Sequence, residues 1–350
     1  MYSQHTTSKK SIRSSIIIKL ASLAFDSGIF RTGRQFWSKS LTVLNYHRID
    51  DPHQDSFDSF LPNVSAIPAE FSHQMDYLAR WFNVISLHEL INWLDGHQSL
   101  PAYAALITFD DGYLDNYTQA YPILKKYDFP AVIFLTSGHI ETDTPFYWDM
   151  AAYCFHHTNH DHVLFPESKE RSWTNKLERR NVNKAWVESM KNLADSEKQK
   201  WINTLPAKLG VSIPKNYFRN LMLSWHQVRE MSNNRIEFGS HTINHPILSK
   251  IPVDQAYIEI NESKVKIETE LGQKVRGFAY PNGSKNDINS EIEQLVHQAG
   301  YRAAFTLQNG PTSIREVRHN PYAVRRIFIS HTHTLPQFAL LTNNINRIRN

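Results

Sequence analysis

The sequence predicts an α/β fold, a single barrel of about seven parallel strands carrying one helical insertion. Three observations point there. Short apolar runs alternate with helical stretches along most of the 350 residues. Several of those runs stop at residues that carry chemistry, as strand ends do in parallel α/β proteins. The rhythm then breaks over residues 145–224, where the chain turns long, polar and helical.

Taken in order, Leu41 to Tyr46 reads as the first strand, and it delivers His47 and Arg48 to its C-terminal end. Two helices follow, about Ala69 to Phe82 and Leu87 to Leu94, the second opened by the capping box Ser86 and Glu89 and closed near Gly96. The run Ala105 to Phe109 is β-branched and aromatic, too short for a helix, and stops at Asp110 and Asp111. Gly112 permits a sharp turn there, and Leu114 to Tyr127 has helical spacing. Ala131 to Leu135 is the next strand. The insertion carries Trp148, Trp173, Trp186 and Trp201, and it reads equally as a cap beside the site and as a solvated helical decoration. Its histidines His156, His157, His160 and His162 match no ligand spacing and read as a polar loop.

Alternation resumes with a helix from Trp225 to Ser232, opened by Ser224 and Gln227, and a strand from Ile236 to Gly239. A loop from Ser240 to Pro246 leads to a helix over Val253 to Leu271 that ends at Gly272. Strand Arg276 to Tyr280, helix Ile288 to Ala299, and strands Arg302 to Thr306 and Val324 to Ile329 complete the set. Pro336 to Asn350 reads as a terminal helix fading into a basic tail. The domain plan is therefore an N-terminal segment 1–40, a barrel 41–333 with its insertion, and a tail 334–350.

Composition narrows the function. Lys plus Arg number 38 and Asp plus Glu 34, so charge gives no case for a nucleic-acid partner. The single cysteine, Cys154, excludes an intramolecular disulfide framework. The segment Ser15 to Phe30 is apolar but broken by Lys19 and Asp26, short of the roughly 18–20 residues of a membrane span. It also lacks a small-residue cleavage site. The expectation is a cytoplasmic protein whose basic N-terminal helix packs on the barrel; the second reading lays that helix on a membrane surface as a peripheral contact. Nothing in the pattern sets the oligomeric state.

The chemistry concentrates at two strand ends. Asp110 and Asp111 are adjacent and point in different directions, so one carboxylate can hold a metal while the other handles a proton. His241 and His245, four positions apart after another strand, have metal-ligand spacing. Two histidines and one aspartate leave coordination positions open for water and substrate, as a hydrolytic zinc site requires.

These residues carry a resemblance. T-F-D-D-G-Y at Thr108 to Tyr113, S-H-T-I-N-H-P at Ser240 to Pro246 and F-A-Y-P-N-G at Phe278 to Gly283 resemble the three central motifs of the polysaccharide deacetylases. This is the NodB-homology domain, carbohydrate esterase family four. The resemblance covers about Leu41 to Ile329 and is closest to the exopolysaccharide poly-N-acetylglucosamine deacetylases. It implies a distorted (β/α)7-type barrel and a divalent metal, zinc first, with Co2+, Fe2+ or Ni2+ as alternatives. The substrate it implies is an N-acetylated amino-sugar glycan. Carried over, Asp111, His241 and His245 become the metal ligands, Asp110 the base, and the Tyr280 backbone N–H an oxyanion donor.

The family's late leucine-x-His motif is not evident, and two candidates for the general acid stay open. His47 comes first, because Tyr46 and His47 resemble the Y-H element of the poly-β-1,6-N-acetylglucosamine deacetylases, whose acid comes from the first strand. His331 comes second, with His333 behind it. Ala279 stands where much of the family has the arginine that orients the base, and Arg325 or Arg326 is expected to substitute. Tyr113, Trp148, Tyr280 and Pro281 are candidates for sugar contact. Two alternatives share these residues: hydrolysis of a non-sugar amide, and a carbohydrate-binding barrel that has lost turnover.

Overall fold

Strand parity sets the architecture, because alternate side chains of a strand face opposite sides of a sheet. The computed structural model describes residues 39–343. Seven parallel strands close on themselves: β1 (Ser40–Tyr46), β2 (Ala104–Phe109), β3 (Ala131–Leu135), β4 (Ile236–Ser240), β5 (Gly277–Ala279), β6 (Ala303–Asn309) and β7 (Val324–Phe328). β7 returns to pair with β1, so the barrel has no open edge. The fold is the distorted (β/α)7 barrel expected, with β6 running on to Asn309. The N-terminal helix and the end of the basic tail lie outside the described residues.

Two cores result. Leu41, Val43, Leu106, Val132, Phe134, Phe305 and Val324 face inward. Helix α1 (Pro68–Trp81) packs outside, whereas α2 (Leu87–Leu94) plugs the N-terminal mouth with Leu87, Leu90 and Ile91. The outward residues Leu44, Tyr46, Ile107, Phe109 and Ile133 pack against the surrounding helices. Plugging one mouth leaves the C-terminal rim as the face where polar strand ends gather. Packing inside is tight at Gly239 of β4, where a Cβ would stand 2.3 Å from the Phe134 ring and 2.9 Å from the Gly277 carbonyl oxygen. Gly239→Ala is expected to cost about 1–3 kcal/mol of unfolding free energy in urea titrations; wild-type stability would contradict the strain.

The helix expected over Leu114 to Tyr127 forms, opening as a wider π-helical turn over Asn116–Ala120 that runs into α3 (Tyr121–Lys126). The expectation that the structure corrects is the histidine loop of the insertion. Side chains draw the segment onto the end of β1: Asp115 accepts from Arg48 Nε (2.7 Å) and Ile49 N (2.8 Å), and Asn116 donates to the His47 carbonyl (2.8 Å). Pro122 also removes a helical donor.

The insertion, between β3 and β4, is a packed unit with α4 (Tyr147–His157), a hairpin of His162–Leu164 with Glu170–Ser172, α5 (Lys176–Met190) and α6 (Asp195–Lys208). The supposed histidine loop is split between the last turn of α4 and this hairpin. Val163 and Phe165 are buried while His162 and Leu164 are exposed, the period-two alternation of a half-buried strand. After α7 (Trp225–Ser232) comes α8 (Val253–Leu271), which backs β4. Among the described residues no helix is long and apolar enough to cross a membrane.

Candidate active site

β1 and β2 pair with Tyr46 opposite Phe109, so His47 and Asp110 leave the rim side by side. Asp110 is fully buried. Its carboxylate accepts from Asn45 Nδ2 at 2.9 Å and is gripped by Arg326, Nη1 to Oδ1 at 2.6 Å and Nη2 to Oδ2 at 2.7 Å. Burial alone would raise its pKa, but the Arg326 guanidinium and then His241 outweigh burial and hold the carboxyl well below the usual carboxylate range. Of the two arginines expected to substitute at the base, Arg326 is the one in place. It shares the interior of the barrel with Ala279, whose small side chain leaves that space open. Arg325, one residue off in parity, points outward and pairs with Glu316 at 2.8 Å.

Asp111 turns the other way, in the left-handed region at φ 75°. His241 Nε2 lies 3.7 Å and His245 Nε2 3.6 Å from its Oδ1. Ligand atoms of all three residues fall within 4.8 Å of one another. Neither Asp111 oxygen has a hydrogen-bond partner among the described residues. Burial, and then the charges of Asp110 and Asp149, push its pKa well up. His241 Nδ1 sits 2.7 Å from the Ala279 carbonyl, which can only accept, so Nδ1 carries the proton and Nε2 presents its lone pair. A buried carboxylate lacking donors, facing two bare imidazole nitrogens, is a donor set that a divalent cation satisfies.

The loop bearing both histidines is strained, with Thr242 at φ 70° and His245 at φ 58°. Residues held there cost of order 1–3 kcal/mol each. Glu259 of α8, buried, offsets that cost by accepting from Ile243 N (2.8 Å), Asn244 N (2.9 Å) and Asn244 Nδ2 (2.8 Å). Ser263 donates to the Thr242 carbonyl at 3.0 Å. Neither Glu259 nor Asn45 was picked out from sequence; each lies far along the chain from the residue it holds.

His47 is buried, with its ring edge-on to Phe328 and its Nδ1 without a partner among the described residues. Burial lowers its pKa to about 4, helped by Arg326 and His241 and opposed by Asp110. His331 is half-buried, with Nδ1 3.1 Å from the Val64 carbonyl, and His53 and Arg180 are the charges acting on it. His333 turns back to accept from Ser330 N at 3.2 Å.

Three other expectations need correction. The Tyr280 N–H is already donated to the Phe305 carbonyl at 3.1 Å by the pairing of β5 with β6. Pro281 has no N–H, so the next amide is that of Asn282, which has no hydrogen bond among the described residues. Tyr113, expected to meet sugar, is fully buried; its hydroxyl donates to Asp149 at 2.7 Å, and Arg48 covers its ring at 4.9 Å. Trp148 is buried too. It stacks on Phe146 (4.5 Å), stands edge-on to His245 (5.0 Å) and donates to the Tyr113 hydroxyl (2.8 Å), so the pair braces a candidate ligand instead of offering a platform.

Comparison with known proteins adds to this geometry. The family model for polysaccharide deacetylase matches residues 97–304. The poly-beta-1,6-N-acetyl-D-glucosamine N-deacetylase of Escherichia coli (strain K12) is 23% identical over 326 residues, 85% of this chain; the chain spans 38% of that protein's length. The fold is similar to that of the Streptococcus pyogenes deacetylase PplD in complex with acetate, at TM-score 0.56 and 20% identity over 87% of this chain and 97% of that one. IcaB from Ammonifex degensii gives TM-score 0.55 at 20% identity, over 87% and 97% of the two chains.

Proposed function

Because this chain belongs to the polysaccharide deacetylase family, we propose that it is a divalent-metal-dependent N-deacetylase of amino-sugar glycans. Poly-β-1,6-N-acetylglucosamine, named for the E. coli relative, is the substrate class to test first. The observation that carries the reading is the convergence of Asp111, His241 and His245 beside a carboxylate that Arg326 keeps ionised. Residues 41–333 are taken as one catalytic unit, with 145–224 as its cap.

Asp111, His241 and His245 would hold the ion, zinc by the chemistry of the donor set, and when bound it would acidify water and polarise the acetamide carbonyl. Asp110 takes the proton from the attacking water. Its carboxyl is a weak base, which suffices for an acidified water, and Asn45 and Arg326 fix its direction. The Asn282 N–H is the backbone donor for the developing oxyanion, in the place first expected of Tyr280. His47, which burial keeps neutral beforehand, takes up a proton from solvent as negative charge develops beside it. It gives that proton to the nitrogen as the C–N bond breaks, so that the sugar leaves as the amine and the imidazole returns to neutral.

Acetate release from short β-linked N-acetylglucosamine oligomers tests the reading. Release should stop on chelation and return with zinc or cobalt. Release indifferent to chelation, or none with one ion bound per chain, would remove it. His47→Ala is expected to lower turnover by about 10²-fold or more, while His331→Ala keeps most of it; equal, full turnover in both would leave neither as the proton donor. Glu259→Gln supplies a donor where three N–H groups need acceptors, and is expected to weaken zinc binding by about 10- to 100-fold in chelator competition. Unchanged affinity would show that the loop holds its shape without that carboxylate.

A further inference from the structure

Strand parity fixes what stands at the mouth of the barrel. Asn45 of β1 and Arg326 of β7 point into the interior, where both hold Asp110. Two positions further along the same faces come His47 and Phe328. β1 and β7 run side by side there, with Asn45 opposite Phe328 and Ile329 N donating to the Asn45 carbonyl at 3.0 Å. The His47 and Phe328 rings meet edge-on, with centroids 5.6 Å apart. His241 Nε2 lies 3.9 Å from Asp110 Oδ2 in the same layer. His47, Asp110 and His241 all carry chemistry, and Phe328 beside them is carbon alone.

Phe328 is also uncovered. It is 37% exposed, whereas His47 is 9% and Asp110 0% exposed. The other exposed large apolar side chains among the described residues lie on the insertion and on α8, so Phe328 is the one on a barrel strand. A lone apolar residue on an outer surface needs no explanation. One on the inward face does, because the barrel aims this ring at its own mouth and leaves more than a third of it in water. The two aromatic residues first expected to meet sugar, Tyr113 and Trp148, are buried.

The direction of bond breaking decides which half of the substrate meets this ring. Hydrolysis cleaves the bond between the acetyl carbon and the sugar nitrogen. The carbon takes the hydroxyl of water and leaves as acetate, while the nitrogen takes a proton and stays on the sugar. His47 delivers that proton, so the sugar lies on the His47 side and the acetyl group lies towards Asp111, His241 and His245. Phe328 packs against His47. We propose that Phe328 is the platform for the sugar ring of the reacting residue. A β-linked pyranose with equatorial substituents shows axial C–H groups on its faces, and such a face suits an uncovered aromatic ring. Phe328 then sets recognition of the leaving amino sugar, not of the acetyl group. This deepens the deacetylase reading and rests on it, with His47 as the proton donor.

The experiment follows acetate release from short, fully acetylated β-linked oligomers by wild type, Phe328→Leu and Phe328→Trp. Leucine keeps an apolar cover on His47 but has no flat face. Phe328→Leu is expected to raise KM about fivefold, the effect of losing roughly 40 Å2 of apolar contact. Its kcat and pH profile should stay close to wild type, as for contact made equally before and during the reaction. Phe328→Trp restores a flat face and should bring KM most of the way back. Product inhibition separates the two halves of the substrate. The deacetylated oligomer should inhibit Phe328→Leu about fivefold more weakly than wild type, whereas free acetate should inhibit both alike. Weaker inhibition by acetate would place Phe328 on the acetyl side. A lower kcat and a shifted pH profile at unchanged KM would reduce it to packing on His47. Either result, or wild-type KM and inhibition in Phe328→Leu, would overturn the platform while leaving deacetylation intact. No acetate from wild type would remove the deacetylase reading and the platform with it.

Discussion

Asp110→Asn is expected to lower turnover by about 10²- to 10⁴-fold, the range associated with a positioned proton acceptor, while the metal content stays at the wild-type level. The two outcomes separate because the neighbouring carboxylates have different jobs. Asp111 faces His241 and His245, whereas Asp110 is held by Asn45 and Arg326. An asparagine keeps the shape but turns an N–H2 towards the guanidinium, so Arg326 is left buried without its counter-charge. Breaking a buried pair from one side costs about 3–5 kcal/mol, and turnover has to be measured at a temperature where circular dichroism shows the variant folded. A folded Asp110→Asn protein with more than a tenth of wild-type turnover would sink the assignment of Asp110 as base.

The converse substitution, Asp111→Asn, touches the other job, which explains why the pair was readable from sequence. A short apolar run stopping at two carboxylates and a glycine already places both acids at a strand end, and adjacency alone makes them diverge. The His241 and His245 spacing was legible for the same reason: four positions in a tight loop bring two rings to one side. What sequence could not supply was register. Choosing between Arg325 and Arg326 needs the face of β7 that looks inward, and this is fixed by Val324 and Arg326 sharing the interior while Ile327 packs outside.

Register also hid the fate of Tyr280. Its N–H looks available in a strand-end motif, but the parallel pairing of β5 with β6 consumes it and passes the opportunity to Asn282. Aromatic residues misled in another way. Tyr113 and Trp148 flank the motifs and suit sugar stacking, yet Asp149 at the start of α4, pushed up to about 6 by burial against the pull of Arg48, draws the Tyr113 hydroxyl inward, and Trp148 follows it. The insertion's role was ambiguous because polarity on its surface conceals a buried interior, with Trp186, Phe155 and Phe165 almost wholly covered.

Arg326 tests the link between stability and chemistry most directly. Arg326→Met is expected to cost about 3–5 kcal/mol in urea unfolding, because it strands the Asp110 carboxylate in the barrel interior. In the wild type the folded carboxyl is held below its unfolded value, so its contribution is present above the unfolded pKa and is lost as pH falls through the folded one. Without the guanidinium, burial governs and the carboxyl shifts upward. The acid limb of the activity profile should then move to higher pH, with turnover recovering as pH rises. Arg326→Lys keeps a charge but loses the two-pronged grip, and should fall between Met and wild type in both stability and profile. Arg325→Ala loses only a surface pair with Glu316 and should stay within about 0.5 kcal/mol of wild type, with its profile unchanged. A folded Arg326→Met protein with the wild-type pH profile would show that the arginine only packs the barrel, and the orientation of the base would have to rest on Asn45 alone.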